Sequence, residues 1–262
     1  MYCLCLLIAK IIRPNSVPMQ LLDFTYDSVV ENIALDEALL LHSEKTGCQF
    51  LRFWQPKKYA VVMGRSGKLE QEAMAEYCQL KQIPVYRRPS GGGAILTGPG
   101  CLMYATILSS HLNPSLQTIQ GCHDYVLGQM SEALRVDGIQ CEIRGFSDLV
   151  IGDLKFSGNS LRLKKDSVLY HGTLLCDFDL ECISSALRPP PKQPDYRQNR
   201  EHRMFVTNLG RRIEAIQQTI ENHWNPRSRL DSVPAEVEQL MQELLANRYQ
   251  DDHWSVLNPE ST

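Results

Sequence analysis

The residues with the clearest chemical potential are three consecutive glycines behind two arginines. Arg87 and Arg88 precede Gly91, Gly92 and Gly93, and strand-like apolar residues run into and out of the segment. Glycines allow positive φ and let a ligand lie directly against backbone amides. Guanidinium groups are planar, charged donors for carboxylate or phosphate. Glycine runs are more often flexible connectors, but the flanking strands favour a pinned loop that binds an anion.

A lysine with small polar neighbours forms the second candidate site. The Gly152-Asp153 pair lies between two apolar runs, which predicts a tight hairpin turn with Lys155 at the start of the return strand. Lysines at such positions are usually solvated. Here Ser157 and Gly158 follow at once and leave room for a ligand. The ammonium could therefore place a compact positive charge beside a carboxylate or phosphoryl oxygen.

Three further groups of residues give weaker signals. Residues 64–67 form a glycine-bearing turn before a helix, where exposed amides and Arg65 could meet an anion. The basic stretch 196–203 faces either a substrate or only solvent. His111 and His123 have no second ligand at metal spacing, which favours surface or core histidines over metal ligands.

The hydrophobic pattern predicts the helices and strands that must position these residues. A capping box of Ser28 and Glu31 starts a helix that Gly47 ends. Asp36 and Glu37 on this helix are predicted to be solvated, because neighbours in a helix point apart. Further helical patterns cover 69–79, 117–136, 211–223 and 234–247. Strand patterns cover 49–54, 59–63, 85–88, 102–108, 140–144, 148–151 and 168–175, with 102–108 buried on both faces.

Composition bounds the class of protein. The 262 residues, 43% of them apolar, allow one or two domains with a sizeable core. A formal net charge of -3 and a pI of about 6.2 leave no basic excess, so nucleic acid is not an expected partner. No stretch approaches the roughly 20 apolar residues of a membrane span. We expect a protein that associates with neither nucleic acid nor membrane.

The cysteines and the N-terminus bear on cellular location. Nine cysteines are scattered without a C-x-x-C pair, so neither a disulfide framework nor a zinc site is favoured. Reduced thiols fit a cytoplasmic protein best. Residues 1–18 lack the features of a signal peptide and are predicted to be an upstream extension or frayed tail, with Met19 as an alternative start. Residues 19–262 are expected to form a single catalytic domain with helices from about residue 205.

Six segments occur in an informative order and spacing. They are NIALDEA at 32–38, LRFW at 51–54, VVMGR at 61–65, RRPSGGGA at 87–94, DLVIGDLKFSG at 148–158 and HGTLL at 171–175. Together they resemble the lipoate-protein ligase A family, whose class also contains biotin ligases and octanoyltransferases. The similarity covers most of residues 28–210. The chain differs from the family at two pairs of residues. Thr97-Gly98 stands where many members have a His-Asp pair, and Phe146-Ser147 stands where they have an Arg-Asn pair.

The resemblance implies a fold and a reaction. The fold would be α/β (α+β), with a mixed, mainly antiparallel sheet flanked by helices and an acyl pocket beside an ATP site. In such a ligase the lipoate carboxylate attacks the α-phosphorus of ATP and gives lipoyl-AMP and pyrophosphate. The mixed anhydride then acylates a lysine of an acceptor domain. Mg²⁺ would bridge the ATP phosphates, so no metal site built from protein side chains alone is expected.

The resemblance also implies roles for individual residues. Lys155 would be catalytic and hold the acyl carbonyl and α-phosphate oxygens, where a fixed cation acts on transition-state charge. Arg88 and the glycine segment would line the lipoyl and phosphate region, and Asp148 and Ser157 would flank the adenylate. The positions implied to bind substrate or nucleotide are Arg65, Arg88, Ser90, Gly91, Gly92, Gly93, Ala94, Asp148, Ser157, Gly158 and His171.

Macromolecular partners follow from the same resemblance. The acceptors would be lipoyl domains of 2-oxoacid dehydrogenase complexes or the H protein of glycine cleavage. Bacterial two-domain members carry an accessory C-terminal domain, which predicts that this chain works with a separate accessory protein.

Two alternative functions stay open for the same fold. An octanoyltransferase or lipoyl amidotransferase would use a cysteine thioester and no ATP. Cys141, about one hairpin upstream of Lys155, is the candidate nucleophile, although a buried structural cysteine is the commoner case. The other alternative is a non-catalytic protein that binds acyl groups or acceptors. Retention of Lys155 and the glycine run argues for an enzyme.

Overall fold

The computed structural model describes residues 18–259 and contains twelve strands in this part of the chain. The predicted extension at residues 1–18 lies outside the described residues except for its last position. The strands are β1 (Met19–Asp23), β2 (Gln49–Trp54), β3 (Ala60–Met63), β4 (Val85–Arg87), β5 (Ile95–Thr97), β6 (Cys101–Ser109), β7 (Glu142–Arg144), β8 (Asp148–Ile151), β9 (Leu154–Leu163), β10 (Ser167–Leu175), β11 (Ser228–Leu230) and β12 (Ser255–Leu257).

Seven α-helices accompany the strands in this part of the chain. They are α1 (Val29–Thr46), α2 (Leu69–Glu72), α3 (Ala75–Leu80), α4 (Ile119–Val136), α5 (Glu181–Ala186), α6 (Ile213–Trp224) and α7 (Ala235–Leu244). The predicted capping box starts α1, and Gly47 ends it with a φ of 73°. Among residues 18–259, none of the helices combines the length and apolar character needed to cross a bilayer.

The large sheet has eight strands in the order β11-β1-β2-β6-β10-β9-β8-β7. β1 runs parallel to β2 and β11, whereas every other pair in this sheet is antiparallel. The predicted mixed, mainly antiparallel sheet is therefore confirmed. β6 is central and buried at every position, as its continuous apolar run predicts.

The two faces of the large sheet pack against different layers. One face meets α1 and the small sheet, and the other meets α4 and α6. Side chains alternate along a strand. Because His171 is in register with Ala105 of β6 and Ser160 of β9, all three lie on the face toward α1. We call this face the α1 face.

The small sheet has four strands in the order β12-β4-β3-β5 and carries the glycine-rich connection between β4 and β5. The strands predicted at 49–54 and 59–63 exist, but they belong to different sheets. The single helix predicted at 69–79 is wrong. The chain breaks between α2 and α3, because Ala73 pairs with Leu187 and Met74 N–H donates to Ala186 O.

Candidate active site

The glycine loop, which we define as residues 88–94, joins β4 to β5 and exposes its three glycines. It closes onto the turn before α2, where the N–H of Arg65 donates to Ser90 O at 2.8 Å. Glycine is required at position 64, because a Cβ there would lie 2.0 Å from Gly92 O. The loop is therefore pinned to its neighbour, as the flanking strands predict.

The Arg88 guanidinium lies inside the glycine loop and orders it. Its Nη2 donates to Gly91 O at 2.6 Å and to Gly93 O at 2.9 Å, and its Nη1 donates to Val62 O at 2.9 Å. Its Nε donates to Ser90 Oγ at 3.0 Å. Burial lowers the pKa of Arg88 to about 10, which leaves it charged at neutral pH. This arginine shapes the loop from within.

The neighbouring Arg87 is also occupied by backbone carbonyls. Its Nη1 donates to the carbonyl oxygens of Gly64, Arg65 and Gly67 at 3.0, 3.2 and 2.7 Å, and its Nε donates to His253 O at 2.9 Å. The expectation that both arginines present their guanidinium groups to an anion therefore needs correction. A buried guanidinium must satisfy its N–H donors within the protein, and these two do so on the chain. Arg65, in the turn beside the glycine loop, is exposed.

A row of polar side chains runs from the glycine loop into the core. Ser90 Oγ lies 2.6 Å from His171 Nε2, and His171 Nδ1 lies 3.5 Å from Asp36 Oδ2. Asp36 is ion-paired in turn with Arg52, which is fully buried. The prediction that Asp36 is solvated is therefore wrong. This row fixes the imidazole of His171, a residue of the α1 face, beside the loop.

Glu37 is buried as well, so its predicted exposure is also wrong. Tyr249 donates to Glu37 Oε2 at 2.7 Å, and Arg248 forms an ion pair with the same carboxylate. The physical reason is the position of α1, which packs against the large sheet on one side and against α7 on another. The carboxylates of Asp36 and Glu37 therefore both contact other side chains, although they point in different directions from the helix, as expected.

Lys155 and Asp148 form an ion pair with a Nζ to Oδ1 distance of 2.7 Å. The ammonium lies over Gly158, where a Cβ would come 2.8 Å from Nζ. A third residue, Tyr196, donates from its hydroxyl to the other carboxylate oxygen of Asp148 at 2.7 Å. The Lys155 side chain keeps 28% of its surface exposed, whereas Asp148 keeps 11%. The cation is thus both held and accessible.

A β-bulge in β9 sets which of these residues face the site. Leu149 pairs with Ser157 but Val150 pairs with Lys155, so Phe156 is an extra residue on β9. Ser157 consequently lies on the opposite face from Gly158, is 1% exposed and is bonded to Asn159. This placement disagrees with the role predicted for Ser157 beside an adenylate, because the bulge directs it into the core.

β9 also connects Lys155 to the glycine loop. Ser160 Oγ donates to Gly91 O at 2.8 Å, and Ser160 lies opposite His171 on the α1 face. The structure therefore brings the predicted Asp148, Lys155, Gly158 and His171 onto one face beside the glycine loop. Ser157 lies on the other face. Ala94 is half-buried at the end of the loop. Asp36, Ser160 and Tyr196 belong to this group but were not predicted as site residues.

The basic stretch 196–203 divides between core and solvent. Arg197 is buried with its Cζ 4.6 Å from the centre of the Phe205 ring, whereas Arg203 is exposed. Arg200 donates to Asp153 O and Tyr196 O at 3.0 and 2.9 Å. The stretch thus docks against the Lys155 hairpin, a contact that its charge pattern alone did not reveal.

Cys141, the alternative nucleophile, lies in the core. It is 2% exposed, and its Sγ is 3.6 Å from Ser131 Oγ. Burial raises the pKa of its thiol. A buried thiol with a raised pKa is a poor nucleophile, so the structure gives this cysteine a packing role.

The arrangement suits an anionic ligand. It offers an accessible ammonium at Lys155 and the exposed glycines of the loop. The His171 imidazole, held between Ser90 and Asp36, lies on the same face of the sheet. A fixed cation and backbone amides stabilise negative charge on carboxylate or phosphoryl oxygens. Within residues 18–259, no group of three or more His, Cys, Asp or Glu side chains is placed to hold a metal ion.

Comparison with known sequences and structures identifies the class. The family of lipoyl protein ligase A/B catalytic domains matches residues 28–222, and the chain belongs to this family. Lipoate–protein ligase 1 of Staphylococcus aureus is 27% identical over 178 residues, which cover 68% of this chain and 52% of the relative. The matched region thus spans about half the length of that curated relative.

Solved structures share the fold. A bipartite lipoate protein ligase of Thermoplasma acidophilum, studied with its lipoyl domain, superposes with a TM-score of 0.78 at 21% identity, covering 91% of this chain and 96% of that one. A lipoate-protein ligase A bound with ATP gives a TM-score of 0.72 at 20% identity, covering 92% of this chain and 98% of that one. These similarities establish the architecture of the chain.

Proposed function

We propose that this protein activates lipoate, or octanoate, with ATP and transfers the acyl group to a lysine of a lipoyl-acceptor domain. One observation carries the proposal: Lys155 is held by Asp148 on the sheet face that also carries the glycine loop. Its relatives include lipoate–protein ligases, one of them solved with bound ATP, and this supports a ligase.

In the first half-reaction a carboxylate oxygen of the acid attacks the α-phosphorus of ATP. The bond from this phosphorus to the bridging oxygen of pyrophosphate breaks, and pyrophosphate leaves with the electron pair. Lys155 would lie beside the oxygens that bear the growing negative charge, and the glycine loop would offer its amides to the same anion. A cation already fixed in place needs no reorganisation at the moment of reaction.

In the second half-reaction the amine of the acceptor lysine attacks the acyl carbonyl carbon. The bond from this carbon to the adenylate oxygen breaks, AMP leaves and the amine loses a proton. The same ammonium of Lys155 would stabilise the tetrahedral oxyanion. The acceptor would be a lipoyl domain of a 2-oxoacid dehydrogenase or the H protein of glycine cleavage. The Thermoplasma ligase, which was studied with its lipoyl domain, supports the former class.

Magnesium would enter this site with the nucleotide. Mg²⁺ usually keeps several waters and binds through one or two carboxylates plus substrate phosphates. Asp148 is a carboxylate at this place, and its two oxygens already accept from Lys155 and Tyr196. With its two oxygens already engaged, Asp148 fits an Mg²⁺ ion that is held chiefly by the phosphate oxygens of ATP. Bound there, it would neutralise charge on the leaving pyrophosphate.

The test is lipoate-dependent exchange between ATP and labelled pyrophosphate. We expect the wild-type chain to catalyse exchange and Lys155→Ala to lower it by about 100-fold or more, because one fixed donor at a developing oxyanion has an effect of about this size. Lys165→Ala is the matched control, since Lys165 is exposed beyond the far end of β9. Equal loss in both variants would contradict a specific role for Lys155.

A second assay separates the ligase from the transferase. A chain that shows no exchange, but forms a hydroxylamine-labile octanoyl adduct removed by Cys141→Ala, would be an acyltransferase. The accessory domain of a two-domain relative is added in trans to a parallel exchange reaction, because the match covers only about half of the relative's length. Exchange that appears only in this mixture would identify the accessory protein as a required partner.

A further inference from the structure

The segment 188–204 connects α5 to Val206, which forms a β-bridge with Lys155. The proposed reaction gives this segment no role. The segment places one side chain against the proposed catalytic pair. The Tyr196 hydroxyl donates to Asp148 Oδ2 at 2.7 Å, while Lys155 Nζ lies 2.7 Å from Oδ1 of the same carboxylate. Each oxygen of Asp148 thus has its own donor.

We propose that Tyr196 is a positioning residue for Lys155: its hydroxyl fixes the Asp148 carboxylate, which in turn fixes the direction of the ammonium. This inference rests on the proposed function of Lys155. A lysine side chain is flexible and its charge is nearly a point. Its direction is therefore set by whatever holds the ammonium, which here is Asp148.

The neighbours of Asp148 in the sheet do not hold its carboxylate. Asp148 pairs in the sheet with Gly158 on one side and Arg144 on the other. Gly158 has no side chain, and Arg144 forms ion pairs with Glu142 and Asp153. Without the phenol, the carboxylate could rotate and draw Lys155 along with it.

Tyr196 is itself held in place. Its ring centre lies 5.2 Å from that of Phe205, and its carbonyl accepts from Arg200 at 2.9 Å. Burial, together with the charge of Asp148, raises the pKa of its phenol, so the hydroxyl stays protonated and remains a donor at neutral pH. A fixed donor of this kind can orient a carboxylate.

The same part of the chain also fixes the backbone of Lys155. The N–H of Lys155 donates to Phe205 O at 2.8 Å, and its carbonyl accepts from Thr207 N–H at 2.9 Å. Backbone and side chain of Lys155 are therefore both located by residues 196–207. Phe205 and Thr207 act on the backbone of Lys155 directly, whereas Tyr196 acts on its ammonium through Asp148.

The first test compares kcat and KM in the exchange assay. Tyr196→Phe keeps the ring and removes only the hydroxyl, so we expect kcat to fall by about 10- to 100-fold while KM for ATP and lipoate stays within about twofold. The melting temperature should stay near that of the wild type. The double variant with Tyr196→Phe and Asp148→Asn should lose less kcat than the losses of the two single variants combined, because both act on the same ammonium. Unchanged kcat in Tyr196→Phe would overturn the proposal.

Tyr26→Phe is the matched control, because the Tyr26 hydroxyl also donates to a carboxylate, that of Glu238, outside the site. It should keep the wild-type kcat. An equal loss of kcat in Tyr26→Phe would assign the Tyr196 effect to general stability and overturn the proposal.

A second test needs no turnover and so distinguishes failure of this inference from failure of the proposed function. Trace labelling with acetic anhydride measures the reactivity of Lys155 against exposed Lys165 of the same molecule. We expect Tyr196→Phe to label Lys155 faster than the wild type and more slowly than Asp148→Asn, in which the ion pair is lost. Equal labelling in wild type and Tyr196→Phe would overturn the proposal, whether or not the chain catalyses exchange.

Discussion

Asp36 faces two basic side chains in the core. It pairs with Arg52, whose guanidinium also donates to Asn32 Oδ1 at 2.6 Å and to Phe24 O at 3.1 Å. The second carboxylate oxygen of Asp36, Oδ2, lies 3.5 Å from His171 Nδ1. Burial lowers the pKa of Arg52, and the charge of Asp36 opposes that effect. The carboxylate therefore compensates a buried cation and orients a residue of the site.

At the residue scale we predict that Asp36→Asn strongly destabilises the protein. The substitution leaves the fully buried Arg52 without its counter-charge. Removing one partner of a buried ion pair typically lowers the free energy of unfolding by about 3–5 kcal/mol. Urea denaturation followed by circular dichroism measures the change.

The control for this prediction is Asp27→Asn, which breaks the ion pair with Lys57. The side chains of this pair are 87% and 68% exposed, so water and salt screen it. We expect no measurable change in stability. If Asp36→Asn were equally harmless, the buried row from Arg52 to Ser90 would have no structural importance.

The sequence predicted which residues belong to the site better than it predicted which side chains they contact. Glycine content and the hairpin signal located the loop and Lys155, because turns and strand starts depend on neighbouring residues. The burial of Asp36 depends on Arg52, and the role of Tyr196 depends on Asp148, 48 residues away in the chain. Local spacing carries no information about such contacts, so both residues were missed.

At the element scale, the close contact of Gly64 with the glycine loop makes a sharp prediction. A Cβ at position 64 would lie 2.0 Å from Gly92 O, so the loop must shift in Gly64→Ala. Because small misplacements of binding groups are costly, we expect kcat/KM for lipoate in exchange to fall by about 10- to 100-fold. Steady-state kinetics with varied lipoate checks this.

Gly128→Ala serves as the control for the loop variant. Gly128 lies within α4, and a Cβ there would meet nothing within 4 Å. Alanine in a helix is more favourable than glycine by roughly 0.5–1 kcal/mol. This variant should therefore melt at a slightly higher temperature and keep full exchange. Normal kinetics in Gly64→Ala would mean that the loop position is not critical.

The elements themselves were predicted to different extents. Long patterns gave α1, α4 and β10 nearly complete, because each repeats its period several times. β11 and β12 have three residues each and were not predicted. Their existence depends on pairing with β1 and β4 rather than on their own sequence.

At the scale of the whole molecule, the C-terminal segment 228–257 completes both sheets. The family match ends at residue 222, yet β11 extends the large sheet and β12 extends the small one. α7 packs on α1, and His253 O accepts from Arg87 behind the glycine loop. Both sheets of this chain therefore include residues beyond the part that matches the family.

We predict that a chain ending at residue 231 does not fold stably. Truncation removes α7, whose Val237 and Met241 are fully buried and whose Leu244 is 9% exposed. Burying each such side chain contributes about 1.5–3 kcal/mol, and a whole domain is stable by only about 5–15 kcal/mol. Glu37 would also lose Arg248 and Tyr249. Thermal unfolding by circular dichroism should show a lost or strongly lowered transition.

A nicked chain is the matched control for truncation. Asp231 and Ser232 are exposed, so a protease site inserted between them can be cut after folding. The two fragments should co-elute in gel filtration and retain lipoate-dependent exchange, because β12 and α7 stay bound to β4 and α1. Truncated protein that melted and exchanged like the intact chain would show that the segment is dispensable. Loss in the truncated chain but not in the nicked one would show that α7 and β12 support the site by packing.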